Sequence, residues 1–239
     1  MAEKIAAAQG VEFATNLARV RERIERAARR SGRRPGEITL VAVSKTFPAE
    51  AIRAAYAAGL RDFGENRVQE MSEKRAKLGD LDATWHFIGH LQSNKAKLAA
   101  ELADRIDSVD SLGLAQKLDA ATAETRLKVL VEIHLGGEAT KSGVREADLP
   151  ALAEGVAALP NLDLRGLMAV PPYSDDPEQV RPYFRRLREL RDALSHQLGR
   201  PLPTLSMGMS HDFEVAIEEG STEVRVGTAL FGARPPKAD

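Results

Sequence analysis

The segment ITLVAVSKTFP (residues 38–48) contains an apolar run, VAV, that ends in a serine and a lysine. The run does not alternate polar and apolar residues, as a strand with one face in water would. Strands of a parallel sheet are covered by helices on both faces, so they are apolar throughout. The segment therefore predicts a parallel strand with Ser44 and Lys45 at its carboxyl end.

Seven more segments with strand character follow, and helical stretches separate them. The strand segments are residues 61–66, 85–90, 105–110, 127–135, 162–170, 203–209 and 222–232. Helices span about residues 48–58, 111–125, 147–158 and 182–198; one further helix ends at about residue 77, and another begins at about residue 94. Such alternation predicts a parallel sheet, either closed as a barrel or open and doubly wound. A (β/α)8 barrel needs roughly 250 residues, and the chain has 239. We interpret residues 1–239 as one α/β domain, a single (β/α)8 TIM barrel over about 38–232.

An amphipathic helix over about residues 11–31 precedes the first strand. Its apolar residues recur at steps of three or four; they are Phe13, Leu17, Val20, Ile24 and Ala28. We expect this helix to pack outside the barrel. Eight arginines lie between Arg19 and Arg34, which could form a patch for nucleic acid or phosphate. The interleaved Glu22 and Glu25 favour a solvated helix face instead.

The composition excludes several classes of function. Lys and Arg number 34 and Asp and Glu number 35, so no net field attracts nucleic acid or an anionic membrane. The chain has no cysteine, which excludes disulfides, thiolate nucleophiles and cysteine-bound metals. It also lacks a signal-peptide pattern and an apolar stretch of about 18 residues. We expect a cytoplasmic protein that binds neither nucleic acid nor a membrane.

Polar residues stand at the carboxyl ends of the predicted strands, where the βα loops of a barrel build its site. They are Lys45, Glu65, Asn66, His86, His90, Lys141 and Ser206 to Ser210. Lys45 is the most informative, because a partly apolar barrel mouth lowers the pKa of a lysine amine and so favours Schiff-base formation with an aldehyde. The alternative is an ordinary surface lysine at a strand end.

Two glycine-containing turns near the carboxyl terminus predict a phosphate site. The segment SMGMSHDFEVAIEEG (206–220) leads into a helix that we expect to begin near His211, with Ser210 as its N-cap. The segment VRVGTALFG (224–232) ends a strand at Gly227 and Thr228, where backbone can approach a phosphate closely. Phosphate sites recur after the seventh and eighth strands of such barrels. The alternative is two ordinary turns.

A metal site is not expected. His86 and His90 are four residues apart, the spacing of a ligand pair on a helix. The segment WHFIGH (85–90) predicts a strand, in which these histidines would stand about 13 Å apart. No G-x-S-x-G, Walker or G-x-G-x-x-G pattern is present, so acyl-transfer, P-loop and Rossmann sites lack support.

Five motifs together resemble the pyridoxal phosphate homeostasis protein family. In chain order they are VAVSKTFP, GENRVQE, WHFIGHLQSNK, TKSG and SMGMSHDFEVAIEEGSTEVRVGTALFG. The resemblance runs from about residue 38 to 232. It implies a fold-type III barrel like the N-terminal domain of alanine racemase, with pyridoxal 5′-phosphate (PLP) as cofactor.

The resemblance also implies roles for individual residues. Lys45 would be the aldimine lysine, Arg225 would lie near the pyridine nitrogen, and the phosphate would be held by Ser210, Gly227 and Thr228. Five further motif positions would line the mouth; they are Asn66, His86, Lys141, Ser206 and Met207. Family members commonly carry a tyrosine where this chain has Arg67, so that tyrosine contact is missing.

Three functions are compatible with these residues. The first, implied by the resemblance, is a cytosolic, monomeric holder of PLP without catalytic residues, which could pass the cofactor to apo PLP-dependent enzymes. The second is a fold-type III amino-acid racemase or decarboxylase. The third is a Schiff-base aldolase in which the two glycine-containing turns bind a substrate phosphate. We predict the first, because racemases of this fold use a tyrosine from a second, β-rich domain as proton donor, and we expect no such domain in a chain that ends seven residues after Gly232.

Overall fold

The computed structural model describes residues 2–122, 125–136 and 142–233, with the backbone alone for residues 2–11. Within them, eight parallel strands close into a barrel in chain order, β1 to β8. The strands are β1 Thr39–Val43, β2 Asp62–Glu65, β3 Thr84–Phe87, β4 Arg105–Val109, β5 Leu127–Glu132, β6 Leu162–Met168, β7 Thr204–Ser206 and β8 Glu223–Val226. The predicted TIM barrel is confirmed, and the open doubly wound sheet is excluded.

Helices follow the strands and form the outer layer. They are α1 Ala2–Arg30, α2 Ala49–Ala57, α3 Val68–Lys77, α4 Ala96–Leu102, α5 Leu112–Ala121, α6 Leu149–Ala157, α7 Arg181–Gln197, α8 Phe213–Glu218 and α9 Thr228–Phe231, with short 3₁₀ turns at Pro35–Glu37, Ser93–Lys95, Glu146–Asp148 and Pro177–Val180. Within the described residues, no helix has the length and hydropathy that crossing a bilayer requires.

The core lies mainly between the strands and this helical layer. Phe63 and Trp85 on neighbouring strands pack with ring centroids 6.0 Å apart, and Phe184 of α7 is fully buried. Burying a large apolar side chain stabilises the fold by roughly 1.5–3 kcal/mol. The apolar strands seen in the sequence are thus explained by burial on both faces.

Helix α1 packs on the outside of the barrel with its apolar face inward. All five residues of the predicted stripe are buried. The ring of Phe13 lies 5.2 Å from that of Phe231 in α9, and the guanidinium of Arg23 lies 4.3 Å from the ring centroid of Phe213 in α8. Arg23 and Arg26 also bond Glu214 of α8. Part of the arginine-rich face therefore pairs with α8, whereas the sequence analysis expected it to face solvent.

Several predicted boundaries are wrong: α1 begins at Ala2, nine residues before the predicted start, and β5 and β7 each end three residues early. Strand β3 ends at Phe87, three residues before the end of the predicted segment 85–90. The segment 222–232 divides into β8 and the short helix α9, because the chain turns at Gly227. Helix α8 begins at Phe213, with Asp212 as its N-cap residue.

Candidate functional site

The carboxyl ends of β1, β2 and β8 bring three predicted site residues to one side of the barrel rim. Strand β1 pairs with β2 through Val43 and Gly64, and with β8 through Ala42 and Val226. Lys45, two residues beyond β1 and partly buried, therefore lies between the turns that follow β2 and β8. Those turns carry Asn66 and Gly227.

Ser210 joins the turn after β7 to the turn after β8. Its Oγ accepts hydrogen bonds from the backbone N–H groups of Gly227 at 3.3 Å and Ala229 at 3.2 Å. The predicted N-cap role of Ser210 is wrong, since α8 begins after Asp212, whose Oδ1 accepts a 2.6 Å bond from the N–H of Met209. The hydroxyl is thereby directed to the turn after β8.

The residues of these turns fit a phosphate group. A hydroxyl and the N–H groups that open a helical turn meet at one point, and this combination favours an anion. Gly208 has φ +93° and a Cβ there would lie 2.6 Å from Ala216 Cβ, so this position needs glycine. A Cβ on Gly227 would lie 3.3 Å from the carbonyl oxygen of Val43. The turn after β8 therefore lies directly against β1, the strand that leads to Lys45.

Arg225 of β8 places a cation inside the barrel at the ends of β6 and β7. Its Nη1 donates to Ser206 Oγ at 2.7 Å, and its Nη2 donates to the carbonyl oxygen of Ala169 at 2.9 Å. Burial lowers the pKa of Arg225, although the nearby Glu223, Asp107 and Glu132 oppose that shift. The two hydrogen bonds fix the orientation of the guanidinium.

The turn that carries Lys45 is held by a network in which the sequence analysis identified Glu65 but missed Lys74 and Glu70. Lys74 of α3 is buried and donates to Glu65 at the end of β2, to Glu70, and to the carbonyl oxygen of Ser44. A signal was present in the sequence, since Lys74 follows Val68 and Met71 at helical spacing on the inward face of α3. A lysine on that face needs buried acceptors.

Glu132, the last residue of β5, is a second buried group that was missed. Its Oε1 accepts a 3.0 Å hydrogen bond from Ser142 Oγ, and its Oε2 has no hydrogen-bond partner among the described residues. Burial raises its pKa, against the opposing effects of Ser142 and Arg225. The sequence signal was a carboxylate that ends the apolar run VLVE.

His86 lies in the barrel interior in a cluster of charged groups, and this corrects its predicted position at the mouth. Its Nε2 is 3.0 Å from Asp62 Oδ1, and its Nδ1 is 3.5 Å from Asp107 Oδ2. Arg105 bonds both Asp107 and Glu223. Asp62, Arg105 and Glu223 are the first residues of β2, β4 and β8, so the cluster extends toward the amino-terminal ends of the strands.

A cationic side chain of the protein, Arg105, already lies between the carboxylates of this cluster. His86, Asp107 and Glu223 offer ligand atoms within 4.8 Å of one another. The guanidinium of Arg105 already bonds both carboxylates, which is the role a metal would fill. Burial alone would lower the pKa of His86, but Asp107 and Asp62 outweigh it and raise the pKa to about 9.

The other predicted residues are spread over the rim. Met207 is fully buried, Thr228 is exposed, and His90 is exposed with its Nδ1 3.4 Å from Asp110 Oδ2. Asn66 and Arg67 line a pocket of about 410 Å³ together with Gln92 and Lys95. Lys141 lies outside the described residues.

The barrel and its rim define the class of alanine-racemase-like barrels. The family model for the N-terminal domain of alanine racemase matches residues 15–235. The chain is 53% identical over 224 residues to the pyridoxal phosphate homeostasis protein of Pseudomonas aeruginosa, covering 93% of this chain and 96% of that protein. The Aquifex aeolicus protein of the same name is 51% identical over 220 residues, covering 91% and 96%. The chain belongs to the pyridoxal phosphate homeostasis protein family.

Solved structures agree with this assignment. The structure of PipY from Synechococcus elongatus with PLP bound has a TM-score of 0.82 and 42% identity, covering 92% of this chain and 100% of that one. Alanine racemase from Corynebacterium glutamicum has a TM-score of 0.71 at 19% identity, covering 96% of this chain and 63% of that one. The second likeness shows the shared barrel fold alone.

Proposed function

We propose that this protein binds PLP through Lys45 and serves PLP homeostasis without turning over a substrate. The observation that carries the proposal is the junction of β8 and β1, which brings the turn held by Ser210 next to the strand that leads to Lys45. Family membership supports the choice of ligand, because the PipY structure of the same fold contains PLP.

Each end of the cofactor has a matching group on this chain. When bound, PLP supplies an aldehyde that condenses reversibly with a primary amine, with loss of one water. Lys45 would provide that amine, and Ser210 with Gly227 and Thr228 would hold the phosphate. Arg225 would face the ring nitrogen, and Asn66 and Met207 would border the ring. His86 is a less suitable contact, because it is engaged by Asp62 and Asp107.

The absence of turnover is supported by the positions of the tyrosines. Racemisation needs a proton donor on the face of the substrate opposite the lysine. Tyr56 and Tyr183 lie on the outer helices α2 and α7, where both pack against the core. Tyr173 follows β6, is 72% exposed, and donates its hydroxyl hydrogen bond to Asp175 at 3.1 Å. The tyrosines therefore provide no buried proton donor at the rim.

We further propose that residues 1–239 act as one domain and that the protein works as a cytoplasmic monomer. Apo PLP-dependent enzymes are the proposed recipients of the cofactor. The family model matches residues 15–235 as one unit, which supports the single domain, and the names of the bacterial relatives support the link to PLP homeostasis.

Borohydride reduction of the PLP-loaded protein, followed by peptide mass spectrometry, tests the proposal. We expect a pyridoxyl group on Lys45 and none at that peptide in K45A. Lys77→Ala, an exposed lysine at the end of α3, is the matched control and should retain the Lys45 adduct. An adduct found only on another lysine would overturn the assignment.

A further inference from the structure

We propose that Lys74 is a positioning residue for Lys45, and that with Glu65 and Glu70 it holds the Ser44–Thr46 turn in the conformation that presents the Lys45 amine. The inference rests on the proposed function, since it concerns the lysine that would take up PLP. We call Lys74, Glu65 and Glu70 the turn-holding triad.

The three protons of the Lys74 ammonium group have three acceptors. Its Nζ donates to Glu65 Oε1 at 2.6 Å, to Glu70 Oε1 at 2.7 Å and to the carbonyl oxygen of Ser44 at 2.8 Å. The side chain of Lys74 is 7% exposed and that of Glu65 is 0% exposed. The ammonium group is therefore fully used, and its role here is to connect α3 and β2 to the turn after β1.

The triad contacts the chain on both sides of Lys45. On the preceding side, Ser44 accepts from Lys74 through its carbonyl oxygen and donates from its Oγ to Glu65 Oε1 at 2.6 Å. On the following side, the N–H of Thr46 donates to Glu70 Oε1 at 2.5 Å. The backbone that carries Lys45 is thus fixed at both neighbours by the same three charged groups.

The conformation of Thr46 shows that this turn needs external support. Its φ is +71°, and it is the one residue other than glycine with positive φ in the described part of the chain. A β-branched residue avoids this region, and such a conformation persists only when its surroundings enforce it. The hydrogen bond from Thr46 N–H to Glu70 supports it here, together with the bond from Phe47 N–H to the carbonyl oxygen of Ser44 across the turn.

Stability alone does not account for these charges. Buried ion pairs add little net stability, because desolvation offsets their attraction, and apolar residues of similar size often replace them without loss. Burial raises the pKa of Glu65 even though the nearby Lys74 opposes the shift, and this raised pKa reflects the desolvation cost. These charged groups lie on both sides of the proposed reactive lysine in spite of that cost. We explain their presence by a role in orienting this lysine.

The test separates attachment to Lys45 from binding of the rest of the cofactor. The variants are K74M, which keeps chain length without charge, and K77M, a matched control in which the lysine is exposed at the end of the same helix. The rate of borohydride-trapped pyridoxyl formation on Lys45 is measured by peptide mass spectrometry. Affinity for pyridoxine 5′-phosphate, which has an alcohol in place of the aldehyde, is measured by titration.

We expect K74M to slow attachment by roughly tenfold or more, because small displacements of a reacting group reduce rates strongly. Its affinity for pyridoxine 5′-phosphate should stay unchanged, and K77M should match the wild-type protein in both assays. Attachment at the wild-type rate in K74M would overturn the inference. A parallel loss of rate and of pyridoxine 5′-phosphate affinity would also overturn it, since that is the result of a merely structural role.

If K74M fails to fold, E70M decides by the same two assays, because Glu70 is partly exposed and its replacement removes the acceptor of the Thr46 N–H while Glu65 and Lys74 stay paired. A slowed attachment with normal affinity for pyridoxine 5′-phosphate supports the inference, and a wild-type rate contradicts it. Absence of a Lys45 adduct in the wild-type protein is a different failure, which would overturn the proposed function itself.

Discussion

Ser210 is the residue whose replacement most directly tests the phosphate site. The N–H groups of Gly227 and Ala229 donate hydrogen bonds to Ser210 Oγ. S210A removes this hydroxyl and leaves both N–H donors in place. Loss of one hydrogen bond to a charged group should weaken PLP binding by about 1–3 kcal/mol. Equilibrium titration measures this, with Ser195→Ala on α7 as control. Equal affinity in S210A and the parent would place the phosphate elsewhere.

His86 makes stability depend on pH. The folded state raises its pKa from 6.5 to about 9, so its charged form is favoured in the folded protein. The contribution of His86 to the free energy of unfolding is fully present below pH 6.5, and it is lost as the pH rises from 6.5 through about 9. It is on the order of 3 kcal/mol. Urea unfolding of the PLP-free protein should therefore show stability falling over that range.

Two variants check the origin of this pH dependence. H86Q should flatten the fall in the free energy of unfolding between pH 6.5 and 9. His196→Gln, an exposed histidine of α7, should retain the slope of the wild-type protein. The same slope in H86Q and the wild-type protein would show that another group titrates.

Residues were predictable where position in the barrel identifies them. Lys45 and Gly227 lie in the turns that follow β1 and β8, so counting strands indicated them, whereas the role of Arg225 was implied by the family resemblance. Ser210 was found for a partly wrong reason, since Ser210 and Asp212 are both good N-caps and the sequence does not indicate which one begins the helix. Lys74 was missed because the partners of a lone helical lysine lie on other elements.

At the scale of elements, the contact between α1 and α8 is the feature to test. Glu214 of α8 accepts hydrogen bonds from Arg23 and Arg26, and its side chain is 24% exposed. E214Q should reduce the free energy of unfolding by about 1 kcal/mol, because charge-assisted bonds in a partly buried place are lost.

Chemical denaturation measures this difference. Glu22→Gln is the matched control, because Glu22 lies on α1, is 73% exposed, and stands 3.9 Å from Arg26. It should leave stability nearly unchanged. A similar loss in both variants would mean that the arginines contribute through general charge balance.

The strands were predictable in number, but the ends of the elements and the short helix α9 were not. The alternation of eight strand segments with helical stretches gave eight strands, and the apolar runs VAV of β1 and VLV of β5 are buried. The segment 222–232 was read as one strand, since VGTALF is rich in residues that suit strands and short helices alike. The division at Gly227 depends on the approach of Val43 from β1, a contact between distant parts of the chain.

At the scale of the whole molecule, we predict no sustained racemase or decarboxylase activity. The tyrosines provide no buried proton donor at the rim, and Arg225 would leave the ring nitrogen of PLP unprotonated, which makes the ring a poorer electron sink. α-Deuterium exchange and chiral analysis of alanine and serine over long incubations measure this. Turnover of about 1 s⁻¹ or faster would contradict the prediction.

The pairing of β1 with β8 has a consequence for the protein during its synthesis. Lys45 leaves the ribosome well before β8, the strand that pairs with β1, and before the turns around Ser210 and Gly227. A nascent or truncated chain that lacks those later segments therefore carries the amine without its neighbours, and only a chain that includes them can assemble the rim. Because a ligand that binds only the folded state adds to its stability, PLP would selectively protect finished molecules from proteolysis, and shortened products would be left for degradation.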